Sequence, residues 1–205
     1  MTTRQDEKSE LSTLLSANLD RLKRDFAYPA NQALVIRHLV VAALQCDAAI
    51  LYLEGAEDDA EVEKRIIQPL LERRDVPNRS GNPVDAARLE IVTHRTGKTA
   101  CAFDEIEFSL LNGWTILLLD GADRALMFET RGFETRGVAE PIVEHVIRGP
   151  KEAFTESAAV NRSLVRKYLR DRHLVAETFT VGDRSVSEVT LMYVKDLADP
   201  DIVDE

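Results

Sequence analysis

The chain has 205 residues, 44% hydrophobic and 30% charged, which is the make-up of a globular protein with material for one large core or two small ones. Its 26 basic against 36 acidic residues leave a net charge of -10, which repels phosphate backbones and anionic headgroups and excludes nucleic acid as an expected partner. No apolar run reaches the roughly 20 residues of a membrane helix, and Met1 to Glu10 is too charged for a signal peptide, so the chain as given is expected to be soluble.

From Ser9 to Phe26 the residues Leu11, Leu14, Leu15, Leu19, Leu22 and Phe26 recur at three and four, predicting a helix with one apolar stripe that Tyr28-Pro29 ends. Leu34 to Val41 is rich in β-branched residues and Ala48 to Leu53 is continuously apolar, so both read as strands, the second covered on both faces. Asp58 reads as the N-cap of the next helix, with Glu61 three positions on as the second half of a capping box, and Val62, Ile66, Ile67, Leu70 and Leu71 turn inward. Residues 74 to 88 read as a polar loop and Leu89 to Thr93 as a short strand. Phe103 to Asn112 is predicted to be a helix closed by Gly113, followed by a hairpin of Trp114 to Leu119, a turn at 120 to 123, and Arg124 to Thr130.

Beyond it, a helix over 155 to 170 is expected to turn Ala158, Leu164, Val165, Tyr168 and Leu169 inward and Arg166, Lys167 and Arg170 outward. Strands at Leu174 to Val181 and Val189 to Lys195 follow, and Asp199 with Pro200 starts a last helix.

The second half repeats the first. Val35, Leu39 and Val41 fall on Val175, Phe179 and Val181; Leu51, Tyr52 and Leu53 fall on Met192, Tyr193 and Val194. Asp58 and Val62 match Asp199 and Val203, and Asn18, Leu22 and Lys23 match Asn161, Val165 and Arg166. The expected fold is therefore mixed α+β, with two related subdomains of helices on small mixed sheets. Residues 1–130 form the first, 131–154 a structured joint, and 155–205 the start of a second, unfinished one. Two strands and a helix leave edge groups unpaired, so this second half is expected to dock on the first, pair with another chain, or belong to a longer protein.

Little in the chain points to bond chemistry. Cys46 and Cys101 stand apart and read as free thiols; His38, His94, His145 and His173 are dispersed and read as structural. Gly97-Lys98-Thr99 lacks the leading glycine of a phosphate loop, since Val92 occupies that place, and Trp114 reads as core. No catalytic residue, metal ligand or cofactor is assigned. The charges of the joint are the candidate functional set: Arg131, Glu134, Arg136, Glu140, Arg148 and Glu152 are read as pairing to fix the angle between subdomains. Thr155 or Ser157 is expected to cap the helix, where Thr155, Glu156, Ser157 and Asn161 also form a candidate small-anion site.

The joint carries a further signal. Its R-G-x-E-x-R-G-V-x-E-P at 131 to 141, followed by R-G-P-K-E-x-F-T-E-S at 148 to 157, resembles the A subunit of GerA-type spore germinant receptors. The likeness extends to L-S-A-N-L-D-R-L-K at 15 to 23, A-I-L-Y-L-E-G at 49 to 55, W-T-I-L-L-L-D-G at 114 to 121 and F-T-V-G-D-R-S at 179 to 185, with departures at Asp183 and Val186. The resemblance implies a non-enzymatic N-terminal region on the cytoplasmic, core-facing side of the inner spore membrane. It implies germinant receptor B and C subunits as partners, a homo-oligomer formed through a membrane part, and an unidentified small-molecule ligand as a possibility. Two alternatives stand beside it: the related sporulation-stage membrane protein accompanying dipicolinate transport, and a small hydrolase.

Overall fold

In the computed structural model, residues 10–74, 82–94, 97–132 and 153–203 are described. The first unit is an antiparallel sheet with helices on both faces. Its strands are β1 (Leu34–Val41), β2 (Cys46–Leu53), β3 (Gly97–Ala100), β4 (Trp114–Leu119) and β5 (Ala125–Glu129), in the order β1-β2-β4-β5-β3. Every pairing is antiparallel, which corrects the expected mixed sheet. The reason is local: β1 to β2 and β4 to β5 are tight hairpins, and a parallel pair needs a crossover of a dozen residues or more.

β2 and β4 form the spine. Ala48 to Leu51 and all of Trp114 to Leu119 are buried, so both strands are covered on both faces, as their continuous apolar runs require. On one face lie α1 (Leu15–Asp25) and α5 (Phe103–Leu111), which bring Leu15, Leu19, Leu22, Phe103, Ile106 and Leu110 onto Leu51, Ile116 and Leu118. On the other lies a single helical rod made of α2 (Asp59–Val62), a π-helical stretch Glu63–Ile67 and α3 (Gln68–Glu72). Its Val62, Ile66, Ile67 and Leu70 pack over Ile50, Leu117 and Leu119.

Asp58 caps this rod by accepting from the Glu61 amide at 3.2 Å. The Glu61 side chain does not return the bond; its Oε1 lies 3.1 Å from Arg65 Nε and 3.6 Å from His94 Nε2. The α1 helix starts at Leu15 rather than near Ser9.

Leu89 to Thr93 is not the strand its β-branched residues predict. Asn82 accepts from the Val84 amide at 2.9 Å with Pro83 behind it, and this cap launches α4 (Pro83–Ala86), which runs into a π-helical turn at Ala87–Ile91. Ala87 and Ile91 are buried while Leu89 is 71% exposed, a helical rather than an alternating pattern. The edge position goes instead to β3, so the Gly-Lys-Thr triplet is strand backbone paired to β5.

The second unit holds α6 (Ala158–Tyr168), β6 (Leu174–Val181), β7 (Ser187–Val194) and α7 (Pro200–Val203). The duplication extends to individual hydrogen bonds. Asn18 accepts from the Ser12 amide at 2.9 Å and donates to the Ser12 carbonyl at 2.7 Å; Asn161 does the same to Thr155 at 2.7 and 2.8 Å. The β1–β2 register ends on Leu34↔Leu53, the β6–β7 register on Leu174↔Val194. The bond from Glu54 N to Ala33 O recurs from Lys195 N to His173 O, and the pair from Glu61 and Val62 amides to Asp58 O recurs from Ile202 and Val203 to Asp199 O.

Candidate functional site

The two units meet along a polar seam, and α6 supplies most of it. The helix begins where Ser157 accepts from the Val160 amide at 3.4 Å, and Thr155 Oγ1 accepts from Ser157 N at 3.2 Å. The chain's own oxygens thus already engage the Thr155 and Ser157 amides of the candidate anion site and the Val160 amide beyond it, with Asn161 held on Thr155.

From this fixed start, Arg162 and Arg166 follow four apart as one stripe of α6, and Arg170 stands two residues past the helix end. That stripe faces the first unit. Arg162 donates to Glu54 Oε1 at 3.1 Å across the seam, and to Glu188 Oε1 at 3.4 Å and Thr190 Oγ1 at 3.2 Å within its own unit. Ser163 donates to the Gly55 carbonyl, Arg166 to Asn31 Oδ1 at 3.3 Å, and Arg170 to Asn112 Oδ1 at 2.7 Å. Just past the helix, Arg172 donates to Glu107 Oε2 at 2.7 Å.

This corrects the expected orientation of α6 in part, since Leu164 is buried and Arg170 exposed as expected. Arg166, read as outward, is 4% exposed, whereas Tyr168 and Leu169, read as inward, are 58% and 40% exposed. Apolar periodicity alone misplaces the helix because its partner surface is polar: Asn31, Glu54 and the Gly55 carbonyl offer acceptors that arginine and serine satisfy and leucine does not. The signal that could have found the stripe is the i, i+4 spacing of the arginines itself.

Burial shapes the electrostatics of the seam. Desolvation, with Arg162 nearby, lowers the Arg166 guanidinium to about 10, still cationic at neutral pH. Glu107 is raised by burial, against which the Arg172 hydrogen bond and charge act. Glu57, 6% exposed beside Gly55, is raised by burial to about 8 although it accepts from the Ala56 amide at 3.2 Å. A carboxyl in that state is largely protonated at neutral pH.

The seam's β6 edge is closed from the first unit. Gln32 N donates to Ala176 O at 3.0 Å, while Asn31 Oδ1 and Gln32 Oε1 accept from the Ala176 and Thr178 amides at 3.3 and 3.2 Å. Leu174, Val175 and Ala176 are buried as a result.

Of the six joint residues expected to couple the units, Arg131 is described and Glu134, Arg136, Glu140, Arg148 and Glu152 lie outside the described residues. Arg131 Nε lies 3.7 Å from Glu129 Oε1, both half-exposed, and its backbone pairs with Glu57. The neighbouring Gly132 N to Ala56 O and Asp58 N to Thr130 O bonds fasten the start of the joint to the 54–58 loop that also receives Ser163. Cys46 and Cys101 are free thiols. His94 packs edge-on against Phe128, and His173 Nδ1 lies 3.1 Å from Asp171. Trp114 is 9% exposed with Lys98 Nζ 5.1 Å above its ring. No helix among the described residues is long and apolar enough to cross a membrane.

The family model described as Bacillus/Clostridium GerA spore germination protein matches residues 20–205. The chain belongs to this family. Among its GerA relatives, spore germination protein GerLA of Bacillus cereus is 32% identical over 172 residues, covering 84% of this chain and 35% of that protein. Stage V sporulation protein AF of Bacillus subtilis (strain 168) is 30% identical over 172 residues, covering 82% and 34% respectively. The crystal structure of the N-terminal domain of the A subunit of the Bacillus megaterium spore germinant receptor GerK3 matches with a TM-score of 0.74 and 27% identity, over 96% of this chain and 70% of that one. The GerA chain described here thus spans about a third of the length of the curated relatives it matches.

Proposed function

We propose that this chain is the N-terminal region of a spore germinant receptor A subunit, and that it acts without bond chemistry by coupling a nutrient signal to a membrane part through the angle between its two units. The family and the match to the GerK3 A-subunit domain support the first half of this reading. The observation that carries the second is the seam. Arg162, Arg166, Arg170 and Arg172 hold Glu54, Asn31, Asn112 and Glu107, so the units are joined by directional polar bonds that set an angle and can be exchanged, where an apolar interface would fuse them. The joint residues Glu134, Arg136, Glu140, Arg148 and Glu152, together with Arg131, serve the same coupling in this reading. The partners are receptor B and C subunits and further A subunits met through the membrane part. Any small ligand acts by biasing the angle, and the site of action is the core-facing side of the inner spore membrane.

Arg162→Glu sets two carboxylates against each other across the seam. In spores that rely on this receptor, nutrient-triggered germination is expected to fall several-fold at unchanged receptor level on immunoblots, and Glu54→Arg in the same chain should restore it. Normal germination with Arg162→Glu alone would overturn the coupling role.

A further inference from the structure

Glu107 stands on the face of α5 that should be apolar throughout. Phe103, Ile106 and Leu110 on that face are core, and Glu107 among them is 6% exposed. A carboxylate buried so deeply needs a donor for each oxygen. Oε2 has one in the Arg172 guanidinium, which reaches it at 2.7 Å from the second unit. Oε1 is buried and has no hydrogen-bond partner among the described residues.

What lies within hydrogen-bonding reach of Glu107 is another acid, the Asp25 carboxyl at the C-terminal end of α1. Asp25 draws its own cation from one turn back, with Arg21 Nε 3.3 Å from Oδ2. Two ionised carboxylates are acceptors only, so they cannot bond to each other; a single proton supplies the donor and gives the orphaned Oε1 its partner. The remaining charges nearby do not take that place. Asp171 acts on Arg172, and Arg24, His173, Lys195 and Asp196 line a cavity of about 400 Å³ together with Asp25 and Arg172. His173 in that group is engaged by Asp171 at 3.1 Å and Asp196 at 3.8 Å.

We propose that Asp25 and Glu107 form a proton-binding site, a carboxyl–carboxylate pair that holds one proton between its oxygens and, on releasing it to water, tightens the Arg172 bond between the units. Release leaves the pair with one more negative charge. Arg21 shares α1 with Asp25, so the contact across the seam that feels this charge is the one made by Arg172. The relation runs both ways. Burial and the Asp25 charge favour the protonated pair while Arg172 favours the ionised one, so by linkage a bound proton weakens the hold of Arg172 by the same factor. The hold therefore strengthens as pH rises through the titration of the pair. This inference stands on the contact itself, whether or not the units relay a signal.

The test follows the side-chain carboxyl carbon resonances of Asp25 and Glu107 by NMR in the 205-residue chain from acid to mildly alkaline pH. The two resonances are expected to move together in two shared steps, the later one above the ordinary glutamate range. Asp25→Asn keeps an acceptor for Arg21 and places an amide donor against Oε1, so the Glu107 step should fall by about one pH unit or more. Arg172→Met should raise it by about half a unit or more. The Asp25 and Arg172 side chains are partly exposed, and unchanged β2 and β4 amide resonances would confirm that both variants are folded. Separate single steps at ordinary carboxyl values overturn the proposal. So does a Glu107 step that Asp25→Asn leaves in place, which would make burial alone the cause, and so does one that Arg172→Met leaves in place, which would cut the link to the seam.

Discussion

The side-chain amide of Asn161 holds the backbone of Thr155 from both directions, accepting from its N–H at 2.7 Å and donating to its carbonyl at 2.8 Å. Asn18 does the same to Ser12. Each clamp sets how the chain enters its helix, so each unit depends on it separately. Replacing either by alanine leaves a backbone donor and acceptor unpaired, a loss of about 1 to 3 kcal/mol. Asn18 is 2% exposed and Asn161 half-buried, so Asn18→Ala is expected to lower the urea midpoint more than Asn161→Ala. A negligible effect of both would show the clamps to be incidental.

Glu57 makes stability depend on pH in a definite direction. Its folded pKa lies at about 8, above the 4.5 of an ordinary glutamate, so between those values the folded chain holds a proton that the unfolded chain has released. Stability from this group is complete below about pH 4.5 and is lost as pH rises through 8. The slope cannot exceed about 1.4 kcal/mol per pH unit for one proton. Denaturation midpoints between pH 5 and pH 8.5 should fall for the parent chain and fall distinctly less for Glu57→Gln; parallel curves would remove Glu57 as the cause.

Two glycines with similar backbone angles should respond differently to a methyl group. Gly113 has φ +76 and an added Cβ would lie 2.3 Å from the Ala56 carbonyl oxygen, whereas Gly121 has φ +82 with open space around it. Gly121→Ala therefore meets only the left-handed backbone cost, about 1 kcal/mol, while Gly113→Ala must also move the 54–58 loop and is expected to cost clearly more. Equal melting temperatures for the two variants would contradict this packing.

Arg166 offers a test of what holds the seam. Its Nε is buried with no partner, and Asn31 Oδ1, its acceptor, also accepts from the Ala176 amide at 3.3 Å. Removing the charge thus orphans no acceptor. Arg166→Met, which keeps the volume, is expected to stay within about 1 kcal/mol of the parent or exceed it, and Arg166→Ala to lose about 2 to 3 kcal/mol to the cavity. If Met costs as much as Ala, the guanidinium itself is the stabilising group.

The sequence carries the sheet and the duplication openly. The apolar runs at 48 to 53 and 114 to 119 read as strands covered on both faces, and Asp58 and Asp199 announce their helices by cap chemistry that needs no tertiary information. What it hides is what faces what. The helix at Pro83–Ala86 begins at an Asn-Pro cap inside a segment whose composition reads as loop, and β-branched Ile91 and Val92 follow it as passengers. The orientation of α6 was hidden for a deeper reason: arginines at 162, 166 and 170 look like a solvated face until a surface of carboxylates, amides and carbonyls appears opposite them.

A seam that includes guanidinium and carboxylate groups answers to its electrolyte. Arg162 is nearly buried but its partner Glu54 is about half exposed, so ions reach one side of the pair. At physiological ionic strength such charges are screened over about 8 Å, and less salt lengthens that reach. The Arg162–Glu54 contact between the units is therefore sensitive to the ionic medium, while the apolar core of the first unit is not.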